Sequence, residues 1–177
     1  MQQKTALEIL KTGRSVFLTG APGAGKTFVL NQYIKFLREN GVNFAVTAPT
    51  GIAASHLSGM TVQSFFGIGI KENLSDFELD KMLKRRYLHQ RLKPLDVIII
   101  DEVSMLTPAV FELLDRVLRA FKKSSENFGG VQLVLTGDFF QLPPVTKNRM
   151  TEIKFVFQTS IWEELMLKVC YLSESHR

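Results

Sequence analysis

Cysteine is nearly absent from this chain: there is one, Cys170, in 177 residues. One thiol can build neither an internal disulfide framework nor a cysteine metal cluster. Three scattered histidines, His56, His89 and His176, give no zinc-ligand spacing. Long hydrophobic runs are also lacking, none approaching the ~20 residues needed to span a bilayer. The first residues, MQQKTALEIL, have neither the basic start nor the long apolar core of a secretory signal. No repeat and no low-complexity tract interrupts the chain. Together these absences lead to the expectation of an intracellular, reduced protein with no membrane partner. The length suits one α/β domain, or one with a modest insertion. A net charge of +5 is compatible with plain solubility or with a polyanionic partner.

What is present is organised around GAPGAGKT, Gly20 to Thr27. It follows an apolar run, Val16 to Thr19, and leads into a helix-like stretch from Phe28 to Leu37. Strand, glycine loop and helix in that order form the context of a phosphate-binding P-loop, and the flanking elements argue against a mere glycine-rich turn. Glycines let backbone N–H groups turn inward around a polyphosphate. The helix starting at the lysine adds unpaired N–H groups and its positive dipole end. Lys26 is expected to reach the outer phosphates and the Thr27 hydroxyl to sit on Mg²⁺.

The rest of the chain reads as alternating helices and buried strands. Residues 2–12 have helical spacing and stop at Gly13. The P-loop helix is expected to end near Asn40, with Gly41 beyond its C-cap. Phe44–Ala48 is a second strand. Pro49 to Ile70, rich in Gly, Ala, Ser and Thr, reads as a loop with one short helix at Ile52–Leu57, too small-residued and polar for a core element. Its place after a strand puts it where ligands bind in open parallel sheets. Ser75 and Glu78 form a capping box. The basic run Lys81, Lys84, Arg85, Arg86, Arg91 and Lys93, with Tyr87 and His89 among it, is either a solvated helix face or a nucleic-acid contact.

Asp96 to Asp101 is a continuous β-branched apolar run, as buried parallel strands are, and it ends in the carboxylates Asp101 and Glu102. Thr107–Pro108 starts a helix with the apolar stripe Val110, Phe111, Leu114, Val117, Leu118 and Phe121. Lys122–Gly130 reads as a polar linker, Val131–Thr136 as a fourth strand, and Val169–Leu172 as a last one after an aromatic stretch and a helix reaching Leu167. The pattern is α/β with a mostly parallel central sheet flanked by helices. A P-loop needs a metal partner, and Asp101 is expected to supply it as the Walker B carboxylate. Glu102 would orient or deprotonate the attacking water. Gln141, following another strand, suits a γ-phosphate sensor, in a loop shaped by the two prolines behind it.

The ordered set GAPGAGKT, APTGIAAS, TVQSFFGIG, DVIIIDEVSML, GDFFQLPPV and LSESHR resembles the superfamily 1B DNA helicases of the PIF and RecD type, the PIF branch more closely. The resemblance covers nearly the whole chain. It implies a RecA-like P-loop NTPase fold, the first lobe of an ATP-driven motor moving 5′ to 3′ on single-stranded DNA and acting at junctions with duplex. ATP and Mg²⁺ are the implied cofactors, and DNA repair, replication, recombination and telomere maintenance the implied settings. The implied compartment is cytoplasmic and nucleoid-associated in a bacterium, nuclear or mitochondrial in a eukaryote.

By position, Gln3 matches an adenine-reading glutamine, with Gln2 competing for that register. Gly20, Ala21, Pro22, Gly23, Ala24, Gly25, Lys26, Thr27 and Phe28 make the nucleotide cradle, Pro22 standing where alanine is common. Asp101 and Thr27 match the metal residues, and Glu102, Gln141 and Arg177 join Lys26 as catalytic residues, Arg177 being the arginine that reaches the γ-phosphate. Pro49, Thr50 and Gly51, with Gln63, Ser64 and Phe65, match DNA-binding positions, although the family usually has His-Ser where this chain has Gln63–Ser64. Residues 66–94 match a small inserted subdomain carrying the strand-separating wedge, which favours a DNA-facing basic run. The resemblance also implies a monomer, and a second RecA-like lobe beyond residue 177 that completes the nucleotide cleft and the DNA track. Little ATP binding and negligible unwinding are expected of residues 1–177 alone. Two other readings compete: an AAA+-type regulatory ATPase, which usually carries Asn or Thr where Gln141 stands, and a nucleotide kinase, for which no arginine-rich lid is found.

Overall fold

The computed structural model describes residues 1–141 and 154–173. Six strands form one parallel sheet: β1 (Val16–Gly20), β2 (Phe44–Ala48), β3 (Met60–Thr61), β4 (Val97–Ile100), β5 (Gln132–Thr136) and β6 (Lys168–Leu172). Their order is β3-β2-β4-β5-β1-β6, so β5 lies between β1 and β4. Around them lie α1 (Gln3–Lys11), α2 (Lys26–Glu39), α3 (Gly51–His56), α4 (Val62–Phe66), α5 (Asp76–Leu83), α6 (Arg86–Leu92), α7 (Pro108–Lys122) and α8 (Ser160–Glu164).

Strand residues alternate between two cores because successive side chains leave opposite faces. Val16, Leu18, Val97, Ile99 and Val134 pack with α1 and α2, whose contributions include Ala6, Leu10, Leu30 and Tyr33. Phe17, Ile98, Ile100, Leu133 and Leu135 pack on the other face with α4, α6 and α7. Apolar demand on both faces explains the uninterrupted runs of β4 and β5. The helix signals hold where they are local. Asn40 caps α2 and Gly41 has φ +65°. Thr107 accepts from Val110 N–H with Pro108 in the first turn of α7, and Ser75 with Glu78 closes the capping box of α5.

Three sequence expectations are corrected. The Pro49–Ile70 stretch is not a polar loop: it holds α3, the short edge strand β3 and α4, and it buries Val62, Phe65, Phe66 and Ile68. Its small residues permit close approach, since a Cβ on Gly59 would sit 2.5 Å from the Val46 carbonyl oxygen. Nor is Lys122–Gly130 only a polar linker. Phe128 is fully buried against Phe111, and its N–H donates to the buried Asp115 at 2.6 Å. The last helix, α8, also ends at Glu164, short of Leu167.

The segment between α4 and β4 shares the core of the α7 face, through Leu74, Met82, Leu88 and Leu92. Arg116 on α7 grips its start, bonding Leu74 O and pairing with Asp76 at 2.5 Å. Truncating the Phe128 anchor tests the second correction. Phe128→Ala should lower the unfolding free energy by about 3–5 kcal/mol, the usual cost of emptying a fully buried phenylalanine site; denaturant titration would read it. A loss below about 1 kcal/mol would mean that the segment is the loose linker its composition suggests.

Candidate nucleotide site

Every strand of a parallel sheet ends on the same edge, and the candidate residues gather there. The P-loop leaves β1 as a left-handed track, with Gly23 at φ +81° and Gly25 at φ +90°. Gly20 is required for a second reason: a Cβ there would lie 2.5 Å from the Leu172 carbonyl oxygen of neighbouring β6. Gly25 is the N-cap of α2 and provides no side-chain cap. The first N–H groups of a 14-residue helix are thus left facing the loop, the arrangement that binds an anion. Lys26 Nζ lies within the loop, donating to Gly20 O at 2.7 Å. The Thr27 side chain is exposed on the first turn of α2.

Gln3, on α1, reaches the loop from behind. Its Nε2 donates to Ala24 O at 3.2 Å, and a Cβ on Gly25 would come within 2.1 Å of that same nitrogen. Gln2 is the exposed N-cap of α1, so Gln3 is the glutamine that lies on the P-loop. Phe28 is 56% exposed on α2.

Asp101 and Glu102 follow β4. Asp101 Oδ1 accepts from Glu102 N–H at 3.0 Å and from the Thr136 hydroxyl at the end of β5. Among the described residues its Oδ2 has no protein partner. Glu102 adopts φ +53°, a left-handed conformation uncommon outside glycine. Burial pushes the Glu102 carboxyl above the ordinary carboxylate range, and the Asp101 and Asp138 charges push it further. Lys26 and His56 pull against this shift, so the P-loop ammonium and the Glu102 carboxylate feel one another's charge.

Gln141 is exposed at the end of the loop after β5, and its Nε2 donates to Asp138 Oδ2 at 2.9 Å. Of the flanking aromatics, Phe139 packs on Phe17 and Trp162 while Phe140 is 99% exposed. Pro143, Pro144 and Arg177 lie outside the described residues. The donor set fits a hard divalent cation: the hydroxyl of exposed Thr27 and the Asp101 Oδ2 that has no protein partner among the described residues.

The DNA-candidate residues gather nearby, beyond β4. Pro49, Thr50 and Gln63 line one cleft with Ile70, Lys71 and Met105. Thr50 is the N-cap of α3, accepting from Ala53 N–H at 3.2 Å. Gln63 is half-buried and Gly51 and Ser64 are exposed, whereas Phe65 is buried beside Phe66, which puts its ring in the core and not on the open surface. Three residues escaped the sequence reading. Thr136 bonds Asp101, Asp138 accepts from Gln141, and the charge of His56 on α3 lowers the Glu102 pKa. Thr136 alone left a signal, being a hydroxyl at the very end of a buried strand.

Fold and site together define a P-loop nucleoside triphosphatase lobe. The family model for "PIF1-like helicase" matches residues 2–177, and the chain belongs to that family. It is 48% identical over 178 residues to the ATP-dependent DNA helicase Pif1 of Psychrobacter sp., matching 100% of this chain and 27% of that protein. The crystal structure of Pif1 helicase from Candida albicans superposes with a TM-score of 0.85 at 35% identity, covering 98% of this chain and 39% of the other. Bacteroides Pif1 in complex with ADP-AlF3 and ssDNA gives 0.77 at 30% identity, over 98% and 41% of the two chains. The chain thus spans about a quarter of the length of the Psychrobacter relative and about two fifths of those solved chains.

The raised Glu102 pKa carries a sign that can be checked. A carboxyl whose folded pKa exceeds its unfolded value favours folding while protonated, and stability falls as pH rises through the folded pKa. Glu102→Gln removes that ionisation and should raise Tm at pH 7.5, with the gain vanishing below pH ~4, where both states of Glu are protonated. A gain that is the same at both pH values would show that the charge is not what burial penalises.

Proposed function

We propose that this chain is the first motor lobe of an ATP-driven DNA helicase. The observation that carries the reading is the convergence on one sheet edge of the P-loop with Lys26 seated in it, the Asp101–Glu102 pair after β4 and the Gln141 loop after β5. The P-loop amides and Lys26 bind the polyphosphate, and Gln3 recognises adenine from behind the loop. Thr27 and Asp101 hold Mg²⁺, which when bound offsets charge on the outer phosphates.

Glu102 takes the proton of the attacking water. A general base works best with a pKa near the operating pH, so the upward shift serves the chemistry. Gln141 alternates between Asp138 and the γ-phosphate and thereby reports hydrolysis to its neighbours. Arg177, outside the described residues, is assigned to the same phosphate on the family resemblance alone.

Single-stranded DNA lies over Pro49–Gly51 and Gln63–Ser64, with the basic segment before β4 facing the junction with duplex. Movement runs 5′ to 3′. The Psychrobacter relative is between three and four times longer than this match, which covers 27% of it, and a second RecA-like lobe closes on the nucleotide to drive each step. Residues 1–177 accordingly bind ATP weakly and unwind poorly by themselves.

ATPase assays of the full-length protein with and without oligothymidylate test the reading. We expect DNA to stimulate turnover, and Lys26→Ala and Glu102→Gln each to lower the rate by at least about a hundredfold, in the range of losing a key charge stabiliser or base. Turnover indifferent to DNA would contradict a motor and favour a regulatory ATPase.

A further inference from the structure

In the sequence Arg91 is one cation of a basic run, but in the structure it is spent on the protein. Helix α4 is five residues long and ends at Gly67 in the left-handed conformation. The Gly67 and Ile68 N–H groups both donate to the Gln63 carbonyl, leaving the Ser64 and Phe65 carbonyls near the end of α4 without backbone partners among the described residues. Arg91 Nη1 satisfies both, donating to Ser64 O at 3.1 Å and to Phe65 O at 2.9 Å. Its guanidinium lies 5.3 Å from the Phe65 ring centroid and 6.0 Å from that of Tyr87. A cation at a helix C-terminus also complements the dipole. The seam is close-packed: a Cβ on Gly67 would lie 3.1 Å from Leu88 and 3.3 Å from the Tyr87 hydroxyl. Lys84 and Arg86, by contrast, are exposed and have no partner among the described residues.

We infer that Arg91 is a positioning residue for single-stranded DNA: it fixes α4, and so the aim of Gln63 and Ser64, without itself contacting phosphate. The inference rests on the DNA-binding reading above and adds the device that joins the basic segment to the DNA-facing turn. Lysine does not replace it, because a point ammonium lacks the flat guanidinium that bonds both carbonyls through Nη1 and also lies over the Phe65 and Tyr87 rings.

The test uses the full-length protein with fluorescein-labelled oligothymidylate over a salt series, together with nucleotide affinity and amide hydrogen exchange. Arg91→Lys and Arg91→Ala should each weaken DNA binding roughly tenfold, the scale of one charge-assisted hydrogen bond. Nucleotide affinity and the salt slope should stay as in the parent, and exchange across residues 62–69 should speed up. Arg86→Ala, removing a phosphate contact, should lower the slope by about one and leave that exchange unchanged. Rescue by lysine, a lower slope in the Arg91 variants, or unchanged exchange would overturn the inference. If the unsubstituted protein bound no oligonucleotide, the DNA-binding reading would fall, and this inference with it. Parental binding with unaltered Arg91 variants would overturn this inference alone.

Discussion

The all-parallel register of the sheet, with β5 inserted between β1 and β4, is the constraint on which the site depends. Parallel strands deliver their C-terminal loops to one edge, and the strand order sets the sequence of functions along it. From β6 inward come the phosphate loop after β1, the Gln141 loop after β5, the Asp101–Glu102 pair after β4, and the Thr50 and Gln63 turns after β2 and β3. A residue that must answer to both phosphate and metal therefore follows the strand lying between them. The Thr136 hydroxyl bond to Asp101 is that adjacency at atomic scale.

Such an edge concentrates charge that the fold would otherwise avoid. Asp101, Glu102 and Asp138 stand close together against Lys26 and His56, and the partly buried Glu102 bears the cost. Its left-handed backbone adds strain on the order of 1–3 kcal/mol. The two cores on either face of the sheet hold this arrangement in place. Phe128, Asp115 and Arg119 lock the C-terminal end of α7 to the turn before β5, Asp115 pairing with Arg119 Nε at 2.7 Å.

Local chemistry was legible in the sequence and tertiary chemistry was not. GAPGAGKT, the Thr107–Pro108 start and the Ser75–Glu78 box each act within a few residues, so spacing alone exposed them. The runs of β4 and β5 were legible because burial on both faces leaves no alternation to misread. The Pro49–Ile70 stretch misled because its burial depends on close backbone approach to β2, which small residues permit but do not announce. Phe128 was hidden among polar neighbours, its partner Asp115 lying on another element. Arg91 looked like its basic neighbours, and only the packing of α6 on α4 separates a strut from a phosphate-binding side chain. Gln2 and Gln3 could not be ranked until α1 set which of them faces the P-loop.

The central claim is that one sheet edge joins the P-loop to the metal carboxylate in a single nucleotide site. Calorimetric titration with a non-hydrolysable ATP analogue, with and without magnesium, tests it most directly in the parent chain and in Asp101→Asn. Magnesium should strengthen binding in the parent and leave it unchanged in Asp101→Asn. Equal strengthening in both chains would contradict the claim, as would binding that survives Lys26→Ala undiminished.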